Sequence, residues 1–168
     1  MSWAVRPALI AGAAAAWILG AAQVAQHNAR LPATSVVPGA VMTQPFGCTT
    51  LTLEPFDPLC PSKHVHTGVD LAAPAGTAIR AATGGVARVG YDSAGAGLYV
   101  AVNAGGGVRV LYCHLFTAVV RTGQAVSAGD TIGTVGSSGL ATGPHVHLEV
   151  QLDGRSVDPV RWLAGDAS

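Results

Sequence analysis

A segment near the C-terminal end of the chain combines two histidines with the alternating pattern of a β-strand. It reads His145-Val-His147-Leu-Glu149-Val-Gln151. Because successive side chains of a strand point to opposite faces, both imidazoles and the Glu149 carboxylate share one face. Histidines spaced in this way are common zinc ligands, and Glu149 would then either orient a histidine ligand or be a plain surface carboxylate. Taken alone, the segment also fits a solvated polar face that holds two histidines by chance.

A second cluster lies earlier in the chain and reads His64-Val-His66-Thr-Gly68-Val-Asp70. His66 and Asp70 can bind one metal ion only if the extended chain bends between them, and Gly68 permits such a bend. Together with one histidine of the 145/147 pair, they would supply three protein ligands and leave a fourth position for water. That arrangement is typical of catalytic zinc sites, whereas structural sites have four protein ligands. We expect His64 to be neither a ligand nor a substrate contact.

Positioning these side chains requires a sheet, and the sequence from residue 44 to 165 predicts one. Short β-branched segments alternate with glycine-containing turns, which is typical of an all-β sandwich or barrel. Residues 103–107, Asn-Ala-Gly-Gly-Gly, indicate a hairpin loop, and one helical turn is expected around Val160–Ala164. We therefore expect a single-domain antiparallel β fold. The predicted strands are Thr77–Ala81, Val86–Tyr91, Leu98–Val102, Val108–His114, Ala118–Arg121, Thr131–Val135 and His145–Leu152.

The first 43 residues differ in composition from the rest of the chain. Residues 7–25 contain no charged side chain and follow Arg6, a pattern typical of a signal peptide or an N-terminal membrane anchor. A buried core helix is the alternative, although nothing polar marks one face of such a helix. Residues 26–43 contain two prolines and no hydrophobic period, which predicts a linker. We expect an exported protein with three parts: a signal peptide or anchor at 1–25, a linker at 26–43 and one domain at 44–165.

The charge distribution argues against nucleic acid as a partner. The formal net charge is 0, and the nine Lys and Arg residues are spread singly along the chain, so the clustered positive charge of a nucleic-acid-binding surface is missing. Contact with a membrane is expected only through the N-terminal segment, if that segment is retained. The glycine-spaced stretch Val120–Gly139 resembles the barrel of biotinyl and lipoyl carrier domains. Those domains need a lysine on an exposed hairpin tip, and Lys63, the single lysine of the chain, is badly placed for that role.

Three cysteines allow one disulfide and leave one thiol. Cys48 and Cys60 lie close together ahead of the first histidine cluster, and in an exported protein such a pair predicts a disulfide. Cys113 would then be a free thiol beside His114. A nucleophilic Cys113/His114 pair is conceivable, but neighbouring residues of a strand point to opposite faces, which argues against their acting together.

Three separated motifs resemble those of the lysostaphin/LytM-type zinc endopeptidases, in the same order. They are His66-Thr-Gly-Val-Asp70-Leu-Ala-Ala-Pro, Tyr112-Cys-His114-Leu, and Ser138-Gly-Leu-Ala-Thr-Gly-Pro-His145-Val-His147-Leu-Glu149. The intervening stretch GQAVSAGDTIGTVGSSG is similar as well, so that the resemblance extends from about Gln44 to Pro159. It implies a β-sheet with an active-site groove, and hydrolysis of peptide bonds in peptidoglycan cross-bridges or stem peptides.

The resemblance also implies a role for individual residues of this sequence. One zinc ion per chain would be bound by His66, Asp70 and His147, and His114 and His145 would be catalytic histidines that do not bind the metal. Which of these two acts as general base and which stabilises the oxyanion stays open, as does the peptide bond that is cut. A non-catalytic wall-binding or regulatory domain of the same fold is the alternative, although such a domain would normally lack one of the metal ligands. We expect a monomer that is secreted, periplasmic or associated with the cell wall.

Overall fold

The computed structural model describes residues 30–166, so the predicted signal peptide or anchor at 1–25 lies outside the described residues. None of the helices in residues 30–166 is long and apolar enough to cross a membrane. The elements of this range are, in chain order, α1 (Ala33–Val36), β1 (Val41–Gln44), β2 (Gly47–Thr49), β3 (His64–His66), β4 (Val69–Ala72), β5 (Ala78–Arg80), β6 (Gly85–Asp92), β7 (Gly97–Gly105), β8 (Val108–Ala118), β9 (Ala125–Val126), β10 (Thr131–Val135), β11 (His145–Leu152), β12 (Arg155–Val157) and α2 (Pro159–Ala164).

Ten of the strands form one sheet, whose main order is β1-β4-β11-β8-β7-β6-β9. Strand β10 pairs with β5 and β8, and β12 pairs with β11. The pairings are antiparallel, which confirms the predicted fold class. Strands β4, β11 and β8 are neighbours, and they carry Asp70, the 145/147 pair and His114. The topology therefore brings together segments that are far apart in the sequence.

One face of β11 packs into the hydrophobic core. Val146, Leu148 and Val150 are fully buried, whereas His145 and His147 lie on the opposite, partly exposed face. The alternation and the bounds predicted for this strand are confirmed. Burial of a Val or Leu side chain stabilises by about 1.5–3 kcal/mol, so a one-residue slip in register, which would expose this whole row, is strongly disfavoured.

A small two-stranded sheet of β2 and β3 precedes the central strands. Cys48 of β2 lies opposite Val65 of β3 and forms a disulfide with Cys60, which confirms the predicted pairing. We call residues 48–60, which this bridge closes, the disulfide loop. Strand β3 ends at His66. Because β2 carries Cys48 and pairs with β3, the disulfide loop is attached to the strand that carries this histidine.

Residues 30–43 are folded, which differs from the linker predicted for this range. Val36 and Val37 are buried in the core. Arg30 donates a hydrogen bond to the Trp162 carbonyl at 2.8 Å, and its guanidinium lies 4.0 Å from the centre of the Trp162 ring. Strand β1 pairs with β4, so this part of the chain belongs to the domain. Helix α1 and strand β1 have four residues each, which is too few for a hydrophobic period to be recognised in the sequence.

Strand β8 is longer than predicted. It runs to Ala118 instead of ending at His114, and the chain bends at Val120 where the sequence predicts a strand over Ala118–Arg121. Val120 is nevertheless buried. The two adjacent valines, Val119 and Val120, therefore give this bend the composition of a short strand. The helical turn predicted around Val160–Ala164 is confirmed as α2.

Candidate metal centre and active site

Three side chains converge at the edge where β3, β4 and β11 meet. His66 Nε2 lies 2.9 Å from His147 Nδ1, and each of these nitrogens lies 3.1 Å from Asp70 Oδ1. The three ligand atoms are within 4.8 Å of one another. The structure thus brings together the three residues that the sequence analysis singles out as metal ligands.

Strand register and one glycine produce this convergence. His147 on β11 lies directly opposite Asp70 on β4, so their side chains share one face of the sheet. Between His66 and Asp70 the chain bends at Gly68, as predicted. A Cβ at Gly68 would lie 2.8 Å from two ring atoms of His147 and would collide with the Leu148 carbonyl. Only glycine lets the chain pass this close to the histidine ring.

Contacts on the outer sides of the rings fix their orientation. His66 is fully buried, and its Nδ1 lies 2.9 Å from the Pro45 carbonyl oxygen. Since a carbonyl only accepts, His66 Nδ1 donates, and the lone pair on Nε2 points at the other two groups. On the second ring, His147 Nε2 faces a Glu149 carboxylate oxygen at 3.8 Å. Both rings are therefore turned so that the inner nitrogen is available to a metal ion.

The surroundings favour positive charge at this point. Burial raises the pKa of Asp70, but interactions with His147 and His66 hold that pKa well below its usual range. Burial lowers the pKa of His147, but interactions with Asp70 and Glu149 raise it overall to about 9. Although burial raises the pKa of Glu149, its interactions with His147 and nearby side chains lower it to about 2. Asp70 therefore presents an ionised carboxylate to the position that a cation would occupy, and the ionised Glu149 lies behind the His147 ring.

The geometry of the three donors fits a tetrahedral metal ion. Two imidazole nitrogens and one carboxylate oxygen are donors that such sites use, and with metal–ligand distances of about 2.0–2.1 Å the donors would lie about 3.3 Å apart. The separations of 2.9 and 3.1 Å are close to that value. His66, Asp70 and His147 therefore form a group able to hold a metal ion.

Two further histidines lie beside the metal-binding group. His145 Nδ1 donates to the Gly143 carbonyl at 2.8 Å, and His114 Nδ1 donates to the Ser138 carbonyl at 2.9 Å. Their ring centres are 4.7 Å apart, and His145 Nε2 lies 3.8 Å from Asp70 Oδ1. Each ring thus keeps the lone pair of Nε2 free to accept a proton. Burial lowers the pKa of His114, so the neutral imidazole predominates there at neutral pH.

An open groove of about 370 Å³ runs over this group of side chains. The disulfide loop contributes the exposed side chains of Leu51 and Leu53 to one wall, and Leu140 and Thr142 lie on another part of the lining. Asp70, His147 and both neighbouring histidines line this groove, whereas His66 is fully buried behind them. An extended peptide in the groove could therefore approach the open side of the metal-binding group.

Residues 64–159 match the profile of the family described as Peptidase family M23. The matched range begins at His64 and contains all the side chains of the metal-binding group. The chain belongs to peptidase family M23.

Curated relatives of this M23 chain are longer proteins. It is 41% identical over 119 residues to the DD-carboxypeptidase/endopeptidase Mpg of Neisseria meningitidis, an alignment that covers 71% of this chain and 26% of the relative. It is 38% identical over 96 residues to the peptidoglycan DD-endopeptidase ShyA of Vibrio cholerae, covering 57% of this chain and 22% of the relative. The chain thus spans about a quarter of the length of these relatives.

Solved structures share the fold. A zinc-containing peptidase from Vibrio cholerae is 28% identical with a TM-score of 0.63, over 74% of this chain and 37% of that one. The catalytic domain of lysostaphin from Staphylococcus simulans is 25% identical with a TM-score of 0.65, over 80% of this chain and 98% of that one. The resemblance found in the motifs therefore extends to the whole sheet.

A regular β8 would turn Cys113 and His114 of the M23 chain to opposite faces of the sheet. Both residues instead lie on the groove side. Leu98 pairs with Leu115 but Val100 pairs with Tyr112, so β8 has one extra residue at a bulge. Both Cys113 and His114 consequently line the groove. Cys113 is still a poor nucleophile, because burial and the nearby Glu149 raise the pKa of its thiol to about 12.

His64 and Glu149 have well-defined neighbours. His64 Nδ1 lies 2.8 Å from the Glu54 carbonyl oxygen, and the ring stands edge-on to Phe56, so that His64 packs on the disulfide loop outside the metal-binding group. Glu149 accepts hydrogen bonds from Ser156 at 2.6 Å and Thr67 at 3.2 Å. These bonds hold the Glu149 carboxylate beside His147, on the same face of β11, rather than leaving it on the open surface.

Apart from Glu149, the groups that orient the histidine rings are not predicted from the sequence. Three of them are backbone carbonyls, those of Pro45, Ser138 and Gly143. A carbonyl belongs to every residue, so residue type alone gives no signal for its role. Ser138 and Gly143 lie inside a motif of the resemblance, and that position is the one available pointer to them.

Proposed function

We propose that this chain is a zinc endopeptidase that hydrolyses peptide bonds in the cross-bridges or stem peptides of peptidoglycan. One observation carries the proposal: His66, Asp70 and His147 present their donor atoms to one point, and His114 and His145 lie beside that point in one groove. Three protein donors leave a coordination position for water, as catalytic zinc sites do.

His66, Asp70 and His147 would hold one zinc ion. When bound, zinc supplies Lewis-acid chemistry, since it polarises a carbonyl and lowers the pKa of a bound water from 15.7 to about 7. The buried hydrogen bond from His66 to the Pro45 carbonyl keeps the ring in the tautomer that such binding needs. Glu149 would orient His147 from the other side.

His114 and His145 would move protons and stabilise charge during hydrolysis. Each ring has its Nδ1 fixed on a backbone carbonyl, so Nε2 is the atom that can accept a proton from the attacking water. The resulting imidazolium can return that proton to the leaving amine. The second histidine can donate a hydrogen bond to the oxyanion when its Nε2 is protonated, because its Nδ1–H is already used on a backbone carbonyl. The arrangement allows either histidine to take either role.

The peptidoglycan substrate is proposed from the family and from its relatives. Mpg and ShyA are named as DD-peptidases, and ShyA specifically as a peptidoglycan enzyme. An enzyme of the cell wall must work outside the cytoplasm, which agrees with the proposal that residues 1–25 are a signal peptide or an N-terminal anchor.

The folded domain would then begin near Arg30 rather than at Gln44. A chain beginning at Gln26 should be soluble, fold and bind metal. A chain beginning at Gln44 lacks all of β1 except its last residue, and it also lacks the buried Val36 and Val37. It should therefore unfold at a lower temperature. Equal melting temperatures of the two chains would show that residues 30–43 do not contribute to the domain.

Metal content and wall digestion together test the proposed function. Zinc should be present at about one ion per chain, and purified peptidoglycan and defined muropeptides should yield new free amino groups at cleaved peptide bonds, identified by mass spectrometry. Removal of the metal by a chelator should abolish cleavage, and added zinc should restore it. A chain that holds zinc and binds the wall but releases no fragment would instead be a non-catalytic wall-binding or regulatory domain.

A further inference from the structure

We propose that Ser138 is a positioning residue that holds His114 in its working orientation; this inference rests on the proposed function. Ser138 lies in the loop between β10 and β11, and His114 lies in β8. The Ser138 carbonyl accepts the hydrogen bond from His114 Nδ1 at 2.9 Å. The ring is therefore held by a residue 24 positions further along the chain, and whatever fixes that residue also fixes the ring.

The Ser138 hydroxyl provides this fixation through two strands. It accepts a hydrogen bond from the Leu98 N–H of β7 and donates one to the Leu115 carbonyl of β8, each at 2.8 Å. Leu98 and Leu115 are opposite one another at the bulge where the register of β7 and β8 shifts. The hydroxyl thus bridges the two strands at that irregular step, next to His114.

His114 needs such support because its backbone is in a rarely occupied conformation. Its φ is +64°, a left-handed value that non-glycine residues adopt only where the surroundings hold them there. Its N–H donates to the Ala96 carbonyl at 2.8 Å. Gly97, at φ +60°, has no room for a Cβ against Ser138. The loop that contains Ser138 therefore packs tightly against the segment that holds the bulge.

Removal of the hydroxyl should release the ring without changing the metal-binding group. The Leu98 N–H and the Leu115 carbonyl would each lose a partner, and the Ser138 carbonyl would no longer be fixed where His114 Nδ1 needs it. His66 and His147 have their own supports, the Pro45 carbonyl and the Glu149 carboxylate, which do not involve Ser138. The expected consequence is slower turnover with an intact metal site, because small displacements of a catalytic group are costly.

The test compares Ser138→Ala with Ser137→Ala, a change at the exposed neighbouring serine, in the full zinc-loaded chain. For Ser138→Ala we expect unchanged zinc content, a KM within about twofold and a kcat lower by about 10- to 100-fold. In a His114→Asn background, Ser138→Ala should cause no further loss, because Ser138 acts through His114. The ¹⁵N NMR signal of His114 Nδ1–H should shift or broaden in Ser138→Ala, with and without zinc. Ser137→Ala should match the wild type in every measurement.

Three results would overturn the inference: a wild-type kcat and His114 signal in Ser138→Ala, an equal loss of kcat in both backgrounds, or loss of zinc. An equal loss in both backgrounds would mean that Ser138 only stabilises the domain. If the wild type cleaves no wall peptide, the proposed function fails, whereas the NMR comparison still decides whether Ser138 holds His114.

Discussion

Strands β11 and β8 both supply histidines to the site, but they do so in different ways. β11 alternates regularly, so its buried valines and leucine determine which way His145 and His147 point. β8 reaches the groove through a bulge, and His114 points there with the help of Ser138 and Ala96, which lie elsewhere in the chain. A regular strand thus encodes its site residues locally, whereas a bulged strand depends on tertiary contacts.

The largest expected effect comes from His147→Ala on the regular strand. This change removes one of three donors of the metal-binding group, so the remaining two should bind zinc much more weakly. Zinc content and peptidoglycan cleavage should be lost together, as measured by metal analysis and digestion on the same preparation. His66→Ala and Asp70→Ala should behave alike. A His147→Ala protein that keeps one zinc ion would show that His147 is not a metal ligand.

Changes at His145 and His114 should be smaller and should separate activity from metal binding. His145→Ala and His114→Asn should retain about one zinc ion per chain, while kcat falls by about 10²–10⁴-fold because a general acid–base or oxyanion group is lost. Asparagine is chosen at position 114 because it tolerates the positive φ of +64° there. Loss of zinc in His145→Ala, with retention in His147→Ala, would invert the ligand assignment.

Tyr112→Phe tests the tertiary support of β8 just before the bulge. The Tyr112 hydroxyl is fully buried and accepts a hydrogen bond from the Ala82 N–H at 2.6 Å. Without the hydroxyl, this buried N–H loses its partner, so the free energy of unfolding should fall by about 1–3 kcal/mol. Thermal unfolding should show a melting temperature lower by several degrees. Tyr91→Phe, at an exposed tyrosine, should melt like the wild type, and a Tyr112→Phe protein that does the same would refute the assigned role.

The alternation of side chains along regular strands explains how much of this architecture the sequence could predict. The bounds of β10 and β11 agree with the prediction, since β-branched or alternating residues lie between clear turns, and the bend at Gly68 follows from glycine's freedom. By contrast, α1 and β1 are too short to show a period. The bulge in β8 could not be predicted, because the residue type of His114 is not enough to indicate a positive φ. Sequence patterns report local geometry, and these features depend on contacts between distant segments.

The smallest expected effect comes from Cys113→Ala, at the residue that lines the groove beside His114. Its thiol lines the groove beside His114, as a Cys–His nucleophilic pair would require. However, burial and the charge of Glu149 raise its pKa to about 12, so the unreactive thiol form predominates at neutral pH. We therefore expect kcat within about threefold of the wild type, because a group that neither binds the metal nor transfers a proton adds little to transition-state stabilisation. Iodoacetamide should label Cys113 only slowly in the folded protein and rapidly after unfolding. Loss of cleavage in Cys113→Ala with full zinc content would assign the thiol a catalytic role, and β8 would then supply two catalytic side chains instead of one.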